Sequence, residues 1–453
     1  MKSIFLGILL LTPLSAKPNI IYIITDDMGY GDLSCYGQKN FKTPHIDKLA
    51  ASGIRFTRHY SGATVCAPSR CSLMTGKDGG HAAIRGNGPF ELPAEETNVA
   101  AIAQKAGYNM AMIGKSCVTG DTQTPETVLA RGFGFFYGTT SHRDGHFRYP
   151  EFIYRNTEKI EFPGNKLHTG TDYDADLYTK EALGYIAEQK AEKPFFMILS
   201  YPIPHASVVA TDEALQKARP LVADEVGLKK SGHYTATPEV KANYIGMMTI
   251  LDDAVGSLVA RLDEQGLLDD TLIMLTSDNG PHFEGGYRPE LLDSNGPLRG
   301  GKRDLYEGGI RVPFIASWPA AIKAGGTTAH PSAFWDFLPT VCDLTGQPLP
   351  EGIQGISFLP TLTGKGEQAK HPHLYWEFHE QGIRRAIQSG DWKLVQYNLS
   401  KPAATTTELY DLGKDIGEGN DLSDGNPEKV AELLKLMSTA RKPVADFPVQ
   451  SLD

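Results

Sequence analysis

The feature that most constrains this chain is a set of short apolar runs that each stop at polar or charged residues and are followed by a helical stretch. Residues 19–25 (NIIYIIT) run into Asp26 and Asp27, and residues 109–113 (NMAMI) into Gly114 and Lys115. Residues 195–200 (FFMILS) lead to Pro204 and His205, and residues 271–277 (TLIMLTS) end at Asp278 and Asn279. Continuous apolar runs of this length read as strands buried on both faces, the pattern of parallel sheets. Between them HIDKLAASG, NVAAIAQKAG, TKEALGYIAEQK and NYIGMMTILDDAVGSLVARLDEQG carry helical periodicity. Alternating strand and helix predicts an α/β sheet with mainly right-handed crossovers. Ligands of such sheets gather beyond the carboxyl ends of the strands. If these four strands are neighbours, their terminal Asp, Lys, His and Asn residues converge on one pocket.

The texture changes after about residue 370. HLYWEFHEQ, RRAIQSG and WKLVQYN read as short antiparallel strands with turns at Gly382 and at Gly390-Asp391. NPEKVAELLKLMSTARK reads as an amphipathic helix with Asn426 as its cap and Pro427 in its first turn. The expected organisation is an export signal over residues 1–16, a catalytic α/β domain over 17–370, and an α+β subdomain over 371–453 that covers one edge of the main sheet.

Residues 1–16, MKSIFLGILLLTPLSA, have the positive start, short apolar middle and small terminal residue of a secretory signal, with Ala16 as the candidate cleavage position. That predicts a secreted or periplasmic protein. No later run reaches the ~18 apolar residues of a spanning helix. The formal net charge of -10 argues against nucleic acid as a partner, yet a few cations focused in a cleft still suit an anionic substrate. The five cysteines, Cys35, Cys66, Cys71, Cys117 and Cys342, are an odd and sparse set and no disulfide framework.

One of them stands in Cys66-Ala67-Pro68-Ser69-Arg70. Pro68 suits the start of a helix, where free backbone N–H groups face an anion, and Arg70 lies one turn after Cys66. A small apolar cysteine packed at a helix start would share the first of these features. The run, continued by Leu73-Met74-Thr75-Gly76, resembles the C-x-P-S-R maturation motif of the type I, formylglycine-dependent sulfatases of the alkaline phosphatase-like superfamily. The resemblance extends through PNIIYIITDDMGYGD, GYNMAMIGK, SYPIPH, TLIMLTSDNG, GGKRDLYEGGIRVP and ELYDL, in the family's order.

The resemblance implies an α/β/α sandwich with a smaller C-terminal antiparallel sheet, and hydrolysis of sulfate esters, with a sulfated small molecule or sulfated glycan as substrate. It implies that a formylglycine-generating enzyme oxidises Cys66 to an aldehyde whose hydrate is the nucleophile. Asp26, Asp27, Asp278 and Asn279 resemble the family's calcium ligands, with the hydrated residue 66 completing the shell; an all-oxygen set suits that hard cation. Arg70, Lys115 and Lys302 resemble the sulfate-binding cations, and His205 the acid that protonates the leaving alcohol. A phosphoesterase or phosphonate hydrolase on the same scaffold, or a non-catalytic glycan-binding relative, are the alternatives.

One departure stands out. Many relatives carry a histidine two residues after the lysine of G-K-W-H, where this chain has Cys117. In those relatives that histidine helps eliminate sulfate. Either another residue, such as His142 or His146, takes the role, or Cys117 acts as a thiolate, or turnover is slow. His142, Arg143, His146, Arg148 and segment 283–298 are further expected to shape sugar subsites.

Overall fold

The computed structural model describes residues 17–118, 124–190, 193–225, 234, 237–449 and 452. The expected export signal, residues 1–16, lies outside the described residues. Eleven strands form the large sheet: β1 (Asn19–Asp26), β2 (Ile54–Tyr60), β3 (Asn109–Lys115), β4 (Phe135–Thr139), β5 (Phe152–Arg155), β6 (Glu158–Glu161), β7 (Phe195–Pro204), β8 (Thr271–Ser277), β9 (Arg311–Ser317), β10 (Gly326–Thr328) and β11 (Ser332–Ala333). Their order is β10-β2-β9-β8-β1-β7-β3-β4-β5-β6, with β11 also on β2. The four strands read from sequence are adjacent and parallel in the order β8-β1-β7-β3. β9 runs antiparallel to both β8 and β2, so β2 runs parallel to β8 and ends on the same side.

Alternation along β1 explains the sandwich. Ile21 and Ile23 face a layer with Leu251 and Val255 of the helix Val240–Glu264 and Ala182 and Ile186 of the helix Asp174–Ala187. Ile20, Tyr22 and Ile24 face the opposite layer, with Ala103 of the helix Val99–Lys105 and Leu338 of the helix Phe337–Thr345. Both faces are apolar, which is why the run has no polar alternation.

The second sheet is antiparallel, with β12 (Leu374–Phe378), β13 (Arg384–Ser389), β14 (Trp392–Tyr397) and β15 (Thr406–Asp411) in consecutive order. On one face Tyr375, Ile387, Leu394 and Leu409 pack against Leu433 and Met437 of the helix Pro427–Thr439. On the other, Leu374, Trp376 and Val395 meet Tyr60, Val65 and Trp335, at the carboxyl end of β2. Asn426 occupies the N-cap position as expected and Pro427 begins the helix, but the Asn426 side chain makes no capping hydrogen bond: its amide donates to Leu422 O at 2.9 Å instead. No described helix is long and apolar enough to cross a membrane.

Candidate active site

Asp26 is the last residue of β1, and Lys115 the last of β3; His205 follows β7, and Asp278-Asn279 follow β8. Four adjacent parallel strands thus deliver their polar ends to one side, and the convergence expected of the motifs occurs. Gly114 lets Lys115 reach that point, because it has φ 103° and a Cβ there would sit 2.0 Å from Ser200 O. Cys66 and Arg70 arrive from the helix Cys66–Thr75, which starts where β2 delivers its carboxyl end and is buried along its whole length. Pro68 is its third residue rather than its first, still within the turn whose N–H groups have no intrahelical partner. Lys302 descends from the loop between β8 and β9.

The acidic ends interlock. Asp27, with φ 65°, donates its N–H to Asp278 Oδ1 at 3.2 Å and accepts from Asn279 Nδ2 at 2.6 Å. Asp278 Oδ2 accepts from Arg70 Nε at 2.9 Å and is ion-paired with Nη2 at the same distance. Asp26 Oδ2 accepts from Lys115 Nζ, and Asp27 Oδ2 from Lys302 Nζ at 2.8 Å. Two oxygens remain: Asp26 Oδ1 and Asn279 Oδ1 are buried and no donor reaches them. Buried acceptors are rarely left so. Together with the carboxylates of Asp27 and Asp278 they make an all-oxygen set that fits calcium. Asp26, Asp27 and His205 also offer ligand atoms within 4.8 Å of one another. His205 Nε2 is already engaged by an ammonium, and a ring nitrogen suits a hard cation poorly, so the oxygen set is the better fit.

Burial pushes the carboxyls of all three aspartates up, towards the protonated form, but with different outcomes. Lys115 and Arg70 outweigh burial at Asp26 and hold its carboxyl well below the usual range. At Asp27 and Asp278 burial prevails over Lys302 and over Arg70 and Lys115 respectively, helped by the charge on Asp26.

The lysines define two histidine tautomers. Lys302 Nζ lies 2.9 Å from His205 Nε2, and Lys115 Nζ 3.2 Å from His146 Nε2. An ammonium only donates, so both Nε2 atoms accept and each Nδ1 carries the ring proton. His205 Nδ1 points at Ala206 O and His146 Nδ1 at the Tyr234 hydroxyl, 2.8 Å away. The two rings stack with centroids 3.9 Å apart and planes 10° apart. Burial, then the neighbouring cations, holds His146 and His142 well below the usual imidazole range; at His205 burial is joined first by His146 and then by Lys302.

Cys66 lies 3% exposed at the bottom of a cavity of about 590 Å3 lined by Asn87, Gly88, His142, Arg143, His146, Phe147, His168 and Tyr234. Its Sγ is 3.6 Å from Asn87 Oδ1 and 3.9 Å from His142 Nδ1. Burial pushes the thiol up, partly offset by Lys115, so an unmodified Cys66 is a poor nucleophile. Cys117 does not face this cavity: its Sγ sits 3.4 Å from Arg70 Nη1, and burial raises its thiol despite that cation. The thiolate alternative therefore lacks support.

One sugar-subsite expectation fails. Arg148 is 0% exposed, ion-paired with Asp174 Oδ2 at 3.3 Å and donating to Gly145 O at 2.8 Å, so it does not line the cavity. Of segment 283–298, Glu284 approaches the site, 3.8 Å from His205 Nε2 and 3.7 Å from Lys302 Nζ. Sequence reasoning missed Asn87, Ser200, which accepts from Arg70 Nη1 at 2.6 Å, and Tyr234. Asn87 and Tyr234 stand in no motif and reach the site only through the fold; Ser200 opens the SYPIPH motif but carried no role there.

Known proteins agree with this picture. The sulfatase family domain matches residues 18–347, and the domain described as N-sulphoglucosamine sulphohydrolase, C-terminal, matches residues 300–442. The N-acetylgalactosamine-6-O-sulfatase of Bacteroides thetaiotaomicron is 29% identical, over 94% of this chain and 94% of its own. The N-acetylgalactosamine-6-sulfatase of Canis lupus familiaris is 31% identical over 95% of this chain and 81% of its own. Among solved structures, Ps i-CgsB in complex with k-i-k-neocarrahexaose superposes with a TM-score of 0.79 at 25% identity, covering 97% of this chain and 94% of that one.

Proposed function

Because the chain belongs to the sulfatase family and is a sulfuric ester hydrolase, we propose that it removes sulfate from sulfated carbohydrate with a nucleophile made from Cys66. The carrying observation is the meeting, around one buried cysteine, of three cations and two donorless buried oxygens. The relatives that act on N-acetylgalactosamine 6-sulfate groups support a sulfated sugar as substrate. So does a cavity of about 590 Å3, within the usual range for small-molecule sites. We take residues 17–370 as the catalytic unit and 371–453 as the C-terminal unit, and the protein as secreted or periplasmic.

In this reading a formylglycine-generating enzyme converts Cys66 to formylglycine, whose hydrate supplies the attacking oxygen. Asp26, Asp27, Asp278 and Asn279, with residue 66, would hold calcium, which when bound offsets negative charge on sulfate and on the attacking oxygen. Arg70, Lys115 and Lys302 bind the sulfate oxygens and orient the ester. They are fixed before substrate arrives, so no reorganisation is needed as charge builds. His205, whose Nε2 is held by the Lys302 ammonium, is the residue assigned to protonate the leaving alcohol oxygen. His142, whose Nδ1 lies 3.9 Å from Cys66 Sγ, takes the proton that must leave there for sulfate to depart. It stands in for the histidine that Cys117 replaces.

Parallel assays on an aryl sulfate and its phosphate counterpart test the reading. Sulfate turnover is expected to exceed phosphate turnover; the reverse order would make the protein a phosphoesterase on this scaffold. Sugar binding without any sulfate release would make it a non-catalytic binder.

A further inference from the structure

Lys302 sits on a tight turn that is held from the C-terminal sheet. Asp304 N donates to Gly301 O at 2.9 Å, closing a four-residue turn with Lys302 and Arg303 at its centre. Arg303 has φ 77°. Turns of this kind reserve that position for glycine or asparagine, and a larger side chain is strained there. Such strain persists only where the surroundings over-determine it. Here Arg303 N donates to Thr64 O at 3.0 Å, and Arg303 O accepts from Arg384 Nη1 at 2.6 Å. The same Nη1 reaches Asp304 Oδ1 at 3.0 Å. Arg384 belongs to β13; its guanidinium lies 5.1 Å from the Tyr397 ring centroid, and its Nη2 is 3.1 Å from Gln381 Oε1.

The rest of the loop is anchored from the same side. Arg299 donates to Glu418 O at 2.7 Å and to the Tyr410 hydroxyl at 3.0 Å. Glu307 N donates to Glu418 Oε2 at 2.6 Å, and the buried Lys393 of β14 bridges the Glu307 and Glu418 carboxylates at 2.9 Å each. At the far end of this construction the Lys302 ammonium, 4% exposed as a residue, meets Asp27 and His205.

We propose that Arg384 is a positioning residue for Lys302: by fixing the Arg303 carbonyl and the Asp304 carboxylate it holds the left-handed turn that aims the ammonium into the site. The C-terminal sheet is then part of the sulfate-binding apparatus rather than a cover. This rests on the reading of Lys302 as a sulfate-binding cation. Without Arg384 the turn relaxes, and a long flexible side chain loses the backbone origin that points it.

The test is calorimetric binding of inorganic sulfate to the purified full-length protein, alongside Tm, for the wild type, Arg384→Ala, Arg384→Lys, Lys302→Ala and the double variant Arg384→Ala/Lys302→Ala. Arg384→Ala is expected to weaken binding about tenfold, the loss of one charge-assisted contact, and Arg384→Lys to recover part of it. In the Lys302→Ala background Arg384→Ala should change binding less than about twofold, since residues acting through one group do not add. Asp304→Ala, which removes the partner from the other side, should weaken binding like Arg384→Ala, so the test survives if Arg384→Ala does not fold. Full additivity in the double variant, or unchanged binding in Arg384→Ala or Asp304→Ala, would overturn the inference alone. A wild type that neither binds nor releases sulfate would overturn the reading of Lys302, and the inference with it.

Discussion

Two dense clusters of buried charge in this protein are built to opposite rules. Around Glu377, on β12, every oxygen is met. Oε1 accepts from Arg85 Nη1 at 3.1 Å and lies 2.6 Å from His379 Nε2; Oε2 accepts from the Tyr375 hydroxyl at 2.7 Å and from Arg441 Nε at 2.8 Å. At the carboxyl ends of β1 and β8, three cations crowd some oxygens while Asp26 Oδ1 and Asn279 Oδ1 have no donor. The first arrangement ties the C-terminal sheet to the main domain. The second leaves acceptors unmet at a cost of roughly 1–3 kcal/mol each, which a bound cation would offset. The difference between these two clusters lies not in charge density but in whether each buried oxygen meets a donor.

The comparison breaks if changes in the second cluster behave like changes in the first. Cys66→Ala should cut sulfate release by more than about 10^4-fold, as loss of a nucleophile does, with an unchanged far-ultraviolet circular dichroism spectrum; retained turnover would remove Cys66 from the mechanism. Asp278→Asn should lower turnover by about 10^2–10^3-fold and calcium content in step, measured by atomic emission on the same samples. Rate lost at full calcium occupancy would contradict the ligand assignment. His142→Ala should slow turnover by about 10^2-fold or more, the scale of general-base catalysis, whereas Cys117→Ala should stay within about threefold. The opposite ranking would return the role to residue 117.

The first cluster should respond in stability alone. Glu377→Gln is expected to lower stability by about 3 kcal/mol, because it strands buried cations, and to leave kcat of the folded fraction unchanged. Burial raises the Glu377 carboxyl, but hydrogen bonds from His379 and Arg441 and the charge of Arg85 outweigh it and hold it at about 2. A carboxyl depressed below its ordinary ~4.3 in the folded state stabilises fully above that value. That contribution is lost as pH falls from ~4.3 towards about 2. Melting followed from pH 5 downward should therefore fall more steeply for the wild type than for Glu377→Gln; parallel curves would contradict the assignment.

Much of this was legible in the sequence, for a physical reason. Strands buried on both faces cannot alternate, so NIIYIIT and TLIMLTS announced themselves, and their polar ends marked the site. β2 was harder to see, because IRFTRHY mixes polar and apolar residues near a sheet edge, and β9 has no apolar run ending on an Asp or Lys. Family resemblance drew attention to the cysteine at 117, but only the fold shows its thiol turned to Arg70 and His142 turned to residue 66. Tyr234, Asn87 and Arg384 stand in no motif, and their contacts to His146, Cys66 and Arg303 span 88, 21 and 81 residues, so local pattern carries no trace of them. Arg148 reads as polar loop in sequence yet is buried against Asp174, since composition does not say which way a turn folds.

The central claim is most directly tested by the mass of the peptide containing residue 66 from protein that releases inorganic sulfate. Conversion of the thiol to an aldehyde makes that peptide lighter than the sequence dictates, whereas ordinary thiol oxidation adds oxygen and makes it heavier. A lighter peptide, in proportion to specific activity across preparations, is the predicted result. An unmodified or heavier peptide in fully active protein would contradict the account.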